Sequence, residues 1–597
     1  MPAAPLVPAR AAFAGDGTPW SEPYGDVYHS ADGGLAQSRQ VFLAGNGLPG
    51  RWAGRERFVI LETGFGLGLN FLATWQAWKR DPARCARLHY VAIEKHPFPT
   101  EDLRTLHQRY PDLEVEAAEL HSHWPLLVPG GHRAELDGGR VVLTLFFADV
   151  STARDLRLAA DALYLDGFSP SKNPDMWTPQ LMRALARLCA PGATLATWSV
   201  ASAVRSALEQ TGFSVEKGPS FGKKRETLRG RYTGPANFTS RERPRTAVVV
   251  GAGIAGAAIC ERLCARGWEV ALVERHAKPA QEASGNHAGT FHPIVTPDDS
   301  LFARLTRAAF LLSLRRFGGL EKLRWDPCGA LQLARDEKEA VSQRTSIGAL
   351  GLPPDYAQYV TQDEASAHAG VPVAGDGLWF PQAGWVQPPS LVDALLDACG
   401  GRLARRFSTE FKLEESPEAT VILATADDAL HALPNARLRR VRGQVTYLPE
   451  DALEPPHAVV LRGGMVLPPV EGRCVVGASF DVEDDDPRPR PESDDGNIRR
   501  LHNILLLKEE KRFENVGNRV GFRVVAPDRL PLVGRLAGNV HGALAFGSRG
   551  LIWASLAAEI LASLLEGEPL PVEGKLADAL DPARFTLRAS RRAGSRK

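Results

Sequence analysis

Two glycine-rich turns of different spacing set the limits on what this chain can fold into. The first, Glu62-Thr63-Gly64-Phe65-Gly66-Leu67-Gly68-Leu69-Asn70, directly follows the apolar run Phe58-Val59-Ile60-Leu61. The second, Gly251-Ala252-Gly253-Ile254-Ala255-Gly256, follows Ala247-Val248-Val249-Val250 and precedes a helical stretch, a second apolar strand Glu269 to Val273, and Glu274. Each reads as a strand that turns sharply into a helix whose N-terminal N–H groups face a nucleotide. Two such turns of different pattern imply two cofactors and two reactions on one polypeptide.

At 597 residues the chain exceeds one ordinary domain, and either half can bury a core of its own. Hydrophobic residues make up 44% and charged residues 24%, as in soluble globular proteins, and no apolar run of roughly 18 residues is evident that would span a bilayer. Met1 to Pro8 lacks the charged start and apolar core of a signal peptide, so a cytoplasmic protein with no membrane attachment is expected. Seven cysteines without a CxxC pair argue against a disulfide framework and a zinc site, and no metal is expected. Cys260 and Cys264, one helical turn apart, read as small buried apolar residues. The net charge of +1 conceals basic clusters at Lys223-Lys224-Arg225, at Arg437, Arg439, Arg440 and Arg442, and from Arg588 to Lys597, with an acidic one from Asp481 to Asp486. On charge alone these read as solvated faces and tails.

From Arg57 to about Phe213, strand-like runs alternate with amphipathic helical ones, the pattern of a mostly parallel sheet covered by helices. The polar stretch Ser240 to Arg245 predicts a linker. After Glu274 the pattern is less regular, with short strand candidates at Gly443 to Leu448, Gly464 to Leu467 and Cys474 to Ala478 and then a long helix candidate, Leu551 to Leu565. An irregular stretch inside a dinucleotide fold predicts an inserted α+β substrate domain. The expected fold class is therefore α/β, two Rossmann-like domains with the insertion in the second. The expected boundaries are 1–239, a linker 240–246, 247–575, and a basic tail 576–597. No oligomer is implied, and a monomer is expected.

In the first turn the glycines allow close backbone approach to a ligand, and Glu94, ending the next strand, suits ribose hydroxyls. The spacing departs from GxGxxG, which favours S-adenosylmethionine over a dinucleotide; a purely structural turn is the alternative. Asp166, in Leu165-Asp166-Gly167-Phe168-Ser169-Pro170, ends the fourth strand at the crevice where open α/β sheets bind ligands. It reads either as a turn cap or as a catalytic carboxylate.

Asp26-Val27-Tyr28-His29-Ser30 with Gly34-Leu35, Val41 to Leu48, the glycine turn, the Asp166 motif and Gly222-Lys223-Lys224-Arg225-Glu226 together resemble, in order, the class I methyltransferase half of the MnmC family of bifunctional tRNA wobble-uridine enzymes. The resemblance extends over nearly the whole chain. It implies methylation of an aminomethyl group on uridine 34 of tRNA, with S-adenosylmethionine as donor. On it, Glu62, Gly64, Gly66 and Gly68 belong to the donor site, with the glycines along its methionine part. Glu94 holds the ribose, Asp149 lies near the adenine, and Asp166 faces the accepting amine, whose proton it accepts or whose nitrogen it orients. Lys223, Lys224 and Arg225 become tRNA phosphate contacts.

Gly251, Gly253 and Gly256 after a strand, with Glu274 ending the next, form a strong dinucleotide fingerprint that leaves FAD and NAD open. Glu282 to Gly289, Gly521-Phe522-Arg523 with Pro527 to Gly534, and Phe546 to Leu551 resemble the amino-acid oxidase and glycine oxidase group, which implies FAD. That resemblance puts Arg549 and Gly550 beside the flavin and makes Arg523 the anchor of a substrate carboxylate. Two rival readings stay open: a fused methyltransferase and oxidase acting on free glycine derivatives, and a flavin enzyme whose first half is a silent tRNA-binding module.

Overall fold

The computed structural model describes residues 5–219, 226–235, 244–412, 419–426, 436–507, 513 and 516–585. They form two compact units, Pro5–Glu242 with Leu565–Lys575 and Arg243–Leu564 with Leu576–Lys597. Lys223, Lys224, Arg225 and the basic residues from Arg588 onward lie outside the described residues.

In the first unit, β1 (Arg57–Thr63), β2 (Arg87–Glu94), β3 (Gly130–Leu136), β4 (Val141–Phe147), β5 (Ala160–Leu165), β6 (Cys189–Thr197), β7 (Phe213–Gly218) and β8 (Thr227–Tyr232) make one sheet in the order β3-β4-β2-β1-β5-β6-β8-β7. The five central strands pair parallel, and β3, β7 and β8 are antiparallel additions. The β-strand pleat explains why both faces are apolar. Phe58, Ile60, Leu88, Tyr90 and Ala92 enter one core, and Val59, Leu61, Val91 and Ile93 enter the other. β1 sits at mid-sheet, so its C-terminal turn opens where a doubly covered sheet presents its crevice.

Leu565–Lys575, which the sequence places with the second domain, packs into the first unit instead. Arg57 Nη1 donates to Glu566 O at 2.6 Å, Arg133 Nη2 to Pro569 O at 2.5 Å, and Leu570 N to Arg157 O at 3.2 Å. The buried Glu568 lies 3.4 Å from His89 and 3.8 Å from Arg87. Local sequence carries no mark of this, since the partners are hundreds of residues away.

The second unit holds a sheet of β9 (Thr246–Val250), β10 (Glu269–Val273), β11 (Leu403–Arg406) and β12 (Thr420–Leu423) in the order β11-β10-β9-β12, all parallel, continued by the hairpin Val540–Leu544 and Leu532–Ala537. Between them comes a mostly antiparallel sheet with β13 (Arg439–Pro449) and β14 (Gly517–Val525), inserted within the parallel fold. The helix Gly550–Glu566 corrects the expectation that no segment is long and apolar enough to cross a bilayer. Gly547–Glu566 passes by length and hydropathy, but 67% of the apolar window is buried inside the unit. Its one central carboxylate, Glu559, is neutralised within the fold by Arg266 at 2.7 Å and Arg262 at 3.4 Å.

The cluster Arg437 to Arg442 is not simply a solvated face either. Arg442 is fully buried, donating to Asp481 Oδ2, Gln444 Oε1 and the carbonyls of Asp486 and Arg488. The acidic run Asp481 to Asp486 is thus a structural partner of the basic one.

Candidate active sites

β1 runs into Gly64, Gly66 and Gly68, all with positive φ (79°, 52° and 74°), and the chain then enters α1 (Leu69–Arg80). A side chain at these positions is strained, so the turn is a glycine device. It borders a cavity of ≈ 1070 Å³ whose wall includes Gly64, Gly66, Glu94, Asp149 and Asp166. Gly68 and Glu62 are not on that wall; Glu62 is fully buried behind Asn70.

Glu94 accepts hydrogen bonds from Gly66 N at 2.7 Å and His96 N at 2.7 Å. Asp149 caps the turn after β4 by accepting from Ser151 N at 3.0 Å and pairs with Lys95 at 3.2 Å. Its burial opposes ionisation, but Ser151 and Lys95 together hold its carboxyl below the usual range. Asp166 Oδ1 accepts from Gly167 N and Oδ2 from Asn70 Nδ2, both at 2.8 Å. Asn70 is a site residue that the sequence reading passes over, although it stands in the glycine turn. Aromatic rings close the cavity beside Asp166: Phe168 stacks on Tyr24 with centroids 4.6 Å apart, and Tyr28 meets Phe168 edge-on at 5.2 Å.

In the second unit, α2 (Ile254–Cys264) begins directly after β9, with Gly253 as an N-cap that has no side chain of its own to offer. A Cβ on Gly256 would collide with Gly251 O, so only glycine lets the helix start so close to the strand. Ser284 Oγ accepts from Ile254 N at 3.1 Å, which brings the Glu282 to Gly289 segment against the turn. Glu274 accepts from Ala252 N at 2.7 Å and His276 N at 2.9 Å. The bare glycine cradle, helix N-terminus and strand-end carboxylate fit the pyrophosphate and ribose of a bound dinucleotide.

Arg523, on β14, has space for its guanidinium because Gly443 on the paired β13 lacks a side chain. Burial pulls its pKa down, with the charge of Asp481 opposing, and among the described residues no carboxylate forms an ion pair with it. Arg549, in the turn before Gly550, has its pKa pulled down to about 10 by burial and donates only a long bond, 3.4 Å, to His292 O. His292 is itself held neutral by burial and by Arg549. Val525 bridges to Phe546, so β14 and the Arg549 turn meet, and Gly521 lies against Ala283 and Asn286. The three segments scattered through the sequence therefore meet through these backbone contacts, with Arg523 and Arg549 each largely withdrawn from solvent.

Residues 246–564 match the family described as FAD dependent oxidoreductase, and residues 111–233 match a family of S-adenosyl-L-methionine-dependent methyltransferases. The second match contains Asp149 and Asp166 and starts beyond the glycine turn and Glu94. A solved glycine oxidase from Bacillus cereus ATCC 14579 aligns with a TM-score of 0.45 and 19% identity, covering 54% of this chain and 95% of that one. The tRNA 5-methylaminomethyl-2-thiouridine biosynthesis bifunctional protein MnmC of Azoarcus sp. (strain BH72) is 48% identical, with 98% of this chain and 99% of that protein aligned. That of Aromatoleum aromaticum (strain DSM 19018 / LMG 30748 / EbN1) is 47% identical, again over 98% of this chain and 99% of the relative. The chain belongs to the MnmC family of bifunctional proteins, with a methyltransferase part followed by an FAD-dependent oxidoreductase part.

Proposed function

We propose that this chain carries out two consecutive steps on the wobble uridine of tRNA. The oxidoreductase part removes the carboxymethyl group from 5-carboxymethylaminomethyl-(2-thio)uridine, and the methyltransferase part methylates the resulting 5-aminomethyl group. Bound FAD supplies a hydride acceptor, and bound S-adenosylmethionine supplies an electrophilic methyl group. Loss of hydride from the glycine-like carbon, with the nitrogen lone pair forming the C=N bond, gives an iminium ion; water adds to its carbon, and C–N cleavage then releases glyoxylate and leaves the aminomethyl group. Arg523 holds the carboxylate during oxidation through a charge-assisted pair, with the Glu274 and Gly251 to Gly256 cradle holding the dinucleotide. In the other part, an aminomethyl group is protonated at neutral pH and must lose a proton before its nitrogen attacks the methyl carbon as the C–S bond breaks. Asp166 takes that proton and orients the amine, while Glu94 and Asp149 hold the donor. Lys223, Lys224 and Arg225 serve as phosphate contacts.

What carries this reading is the placement of Asp166 on the same cavity wall as Gly64, Gly66 and Glu94. Support for tRNA as the substrate comes from the names of relatives aligned over 98% of this chain. The test is nucleoside mass analysis of tRNA before and after incubation with the holoenzyme, with and without S-adenosylmethionine. Expected are methylaminomethyluridine with the donor and aminomethyluridine without it. Turnover of free glycine or sarcosine with inert tRNA would replace this reading by a small-molecule oxidase.

A further inference from the structure

The support of Asp166 is built largely from one side chain. Asn70 stands in the first turn of α1, and its amide nitrogen donates one hydrogen to Glu62 Oε1 at 2.7 Å and the other to Asp166 Oδ2 at 2.8 Å. That nitrogen has no further hydrogen to give, so both its directions are spent on carboxyl groups. Thr63 Oγ1 donates to Asp166 O at 2.8 Å, which pins the backbone of the same residue to the end of β1. Glu62 is fully buried, and burial, then the charge of Asp166, hold its carboxyl well above the usual range. With Glu62 neutral, the negative charge of the pair rests on Asp166 at the cavity wall.

We propose that Asn70 is a positioning residue for methyl transfer: it ties Asp166 to the helix that starts at the donor-binding turn and so fixes the direction in which the carboxylate faces the amine. This rests on the assignment of Asp166 made above. The ionisable groups around Asp166 are Glu62 on β1, Tyr90 and Glu94 on β2, and Asp26, Lys172 and Asp175 along the cavity.

The test uses the full-length holoenzyme with tRNA bearing aminomethyluridine and S-adenosylmethionine. Asn70→Ala and the milder Asn70→Ser are expected to lower kcat for methyl transfer about tenfold, a misplacement effect, with donor affinity by calorimetry kept within about twofold. The acid limb of the kcat profile should move to higher pH, because Asp166 loses a donor to its charged form. In an Asp166→Asn background, Asn70→Ser should cost no more than about a further twofold, since the group it positions is gone. Full additivity in that double variant, an unshifted acid limb, or loss of donor binding by Asn70→Ser would overturn the proposal. A slow Asp166→Asn beside fully active Asn70 variants removes this inference alone, whereas an Asp166→Asn that methylates at the wild-type rate removes the Asp166 assignment itself.

Discussion

Glu94 accepts a hydrogen bond from the backbone N–H of Gly66 at 2.7 Å, reaching from the end of β2 across to the turn after β1. Glu274 makes the same link in the other unit, to Ala252 N at 2.7 Å, and each carboxylate also accepts from the N–H two residues further on. Turns of different glycine spacing thus converge on one solution. In each, the strand-end carboxylate accepts from two backbone donors and still has lone pairs for ribose hydroxyls.

This parallel gives a paired prediction. Glu94→Ala should weaken S-adenosylmethionine binding by about 10- to 100-fold, the worth of a hydrogen bond to a charged group, and leave the flavin bound. Glu274→Ala should release flavin and leave donor binding alone. Calorimetry with the donor and flavin absorbance after desalting report the two; a crossed result would reverse the assignment of cofactors to units.

The strand-turn-helix elements and their carboxylates were legible in the sequence because each is written within about thirty residues. Asn70 was spelled out with the first turn, yet its meaning depends on Asp166, which lies 96 residues away. Arg442 reads as a surface charge until Asp481 and the carbonyls of Asp486 and Arg488 are folded onto it. The helix Gly550–Glu566 was expected from the sequence as Leu551 to Leu565, but Glu559 interrupts its apolar run, and only the fold shows that Arg262 and Arg266 cancel this charge. Leu565–Lys575 shows the same limit: segment chemistry does not say which unit will bury it.

Removing Leu565–Lys575 from the first unit should therefore destabilise it. A Met1–Glu242 fragment keeps His89 and Arg87 but strips Glu568 from them and Pro569 O from Arg133. His89, whose pKa burial pulls down to about 4, stays neutral at pH 7 and gains nothing by ionising. Each lost hydrogen bond of a buried polar group costs about 1–3 kcal/mol, which lowers Tm by several degrees. A peptide spanning Leu565–Lys575 should raise the fragment's Tm in calorimetry; no response would mean that the segment is a passive passenger.

Glu261 is buried between Arg262 at 2.6 Å and Arg316, and although burial opposes its charge, the two guanidinium groups pull its pKa down to about 2. A folded value below the unfolded one, about 4.3, means that its contribution is full above that value and is lost as pH falls toward 2. Glu261→Gln should cost about 3 kcal/mol at pH 7 by leaving buried arginine charge uncompensated. It should also flatten the fall in thermal stability between about pH 5 and 3. A variant as acid-sensitive as the wild type would place the acid lability elsewhere.

Arg523→Leu should slow glyoxylate release from carboxymethylated tRNA by about 2–3 kcal/mol of lost charge-assisted binding while FAD stays in place. Because Gly443 makes room for that guanidinium, Gly443→Val should mimic it by displacing Arg523. Glyoxylate release at the wild-type rate from Arg523→Leu at subsaturating tRNA would take Arg523 out of the site.

Asp166→Asn separates the two reactions. The amide fills the same space and can still accept from Asn70 or Gly167 through its oxygen, but it cannot take a proton from the ammonium group. Oxidation needs no methyl donor and is assigned above to Arg523 and the flavin part, so the variant should consume the carboxymethyl form at a normal rate and accumulate aminomethyluridine. Wild-type enzyme deprived of S-adenosylmethionine should stop at the same nucleoside. Mixing the Asp166→Asn and Arg523→Leu chains should restore the methylated product, because each supplies the step the other lacks and the intermediate tRNA is free to change partners. If Asp166→Asn instead accumulates the carboxymethyl form, oxidation depends on the first unit, and the order of the two steps argued above fails.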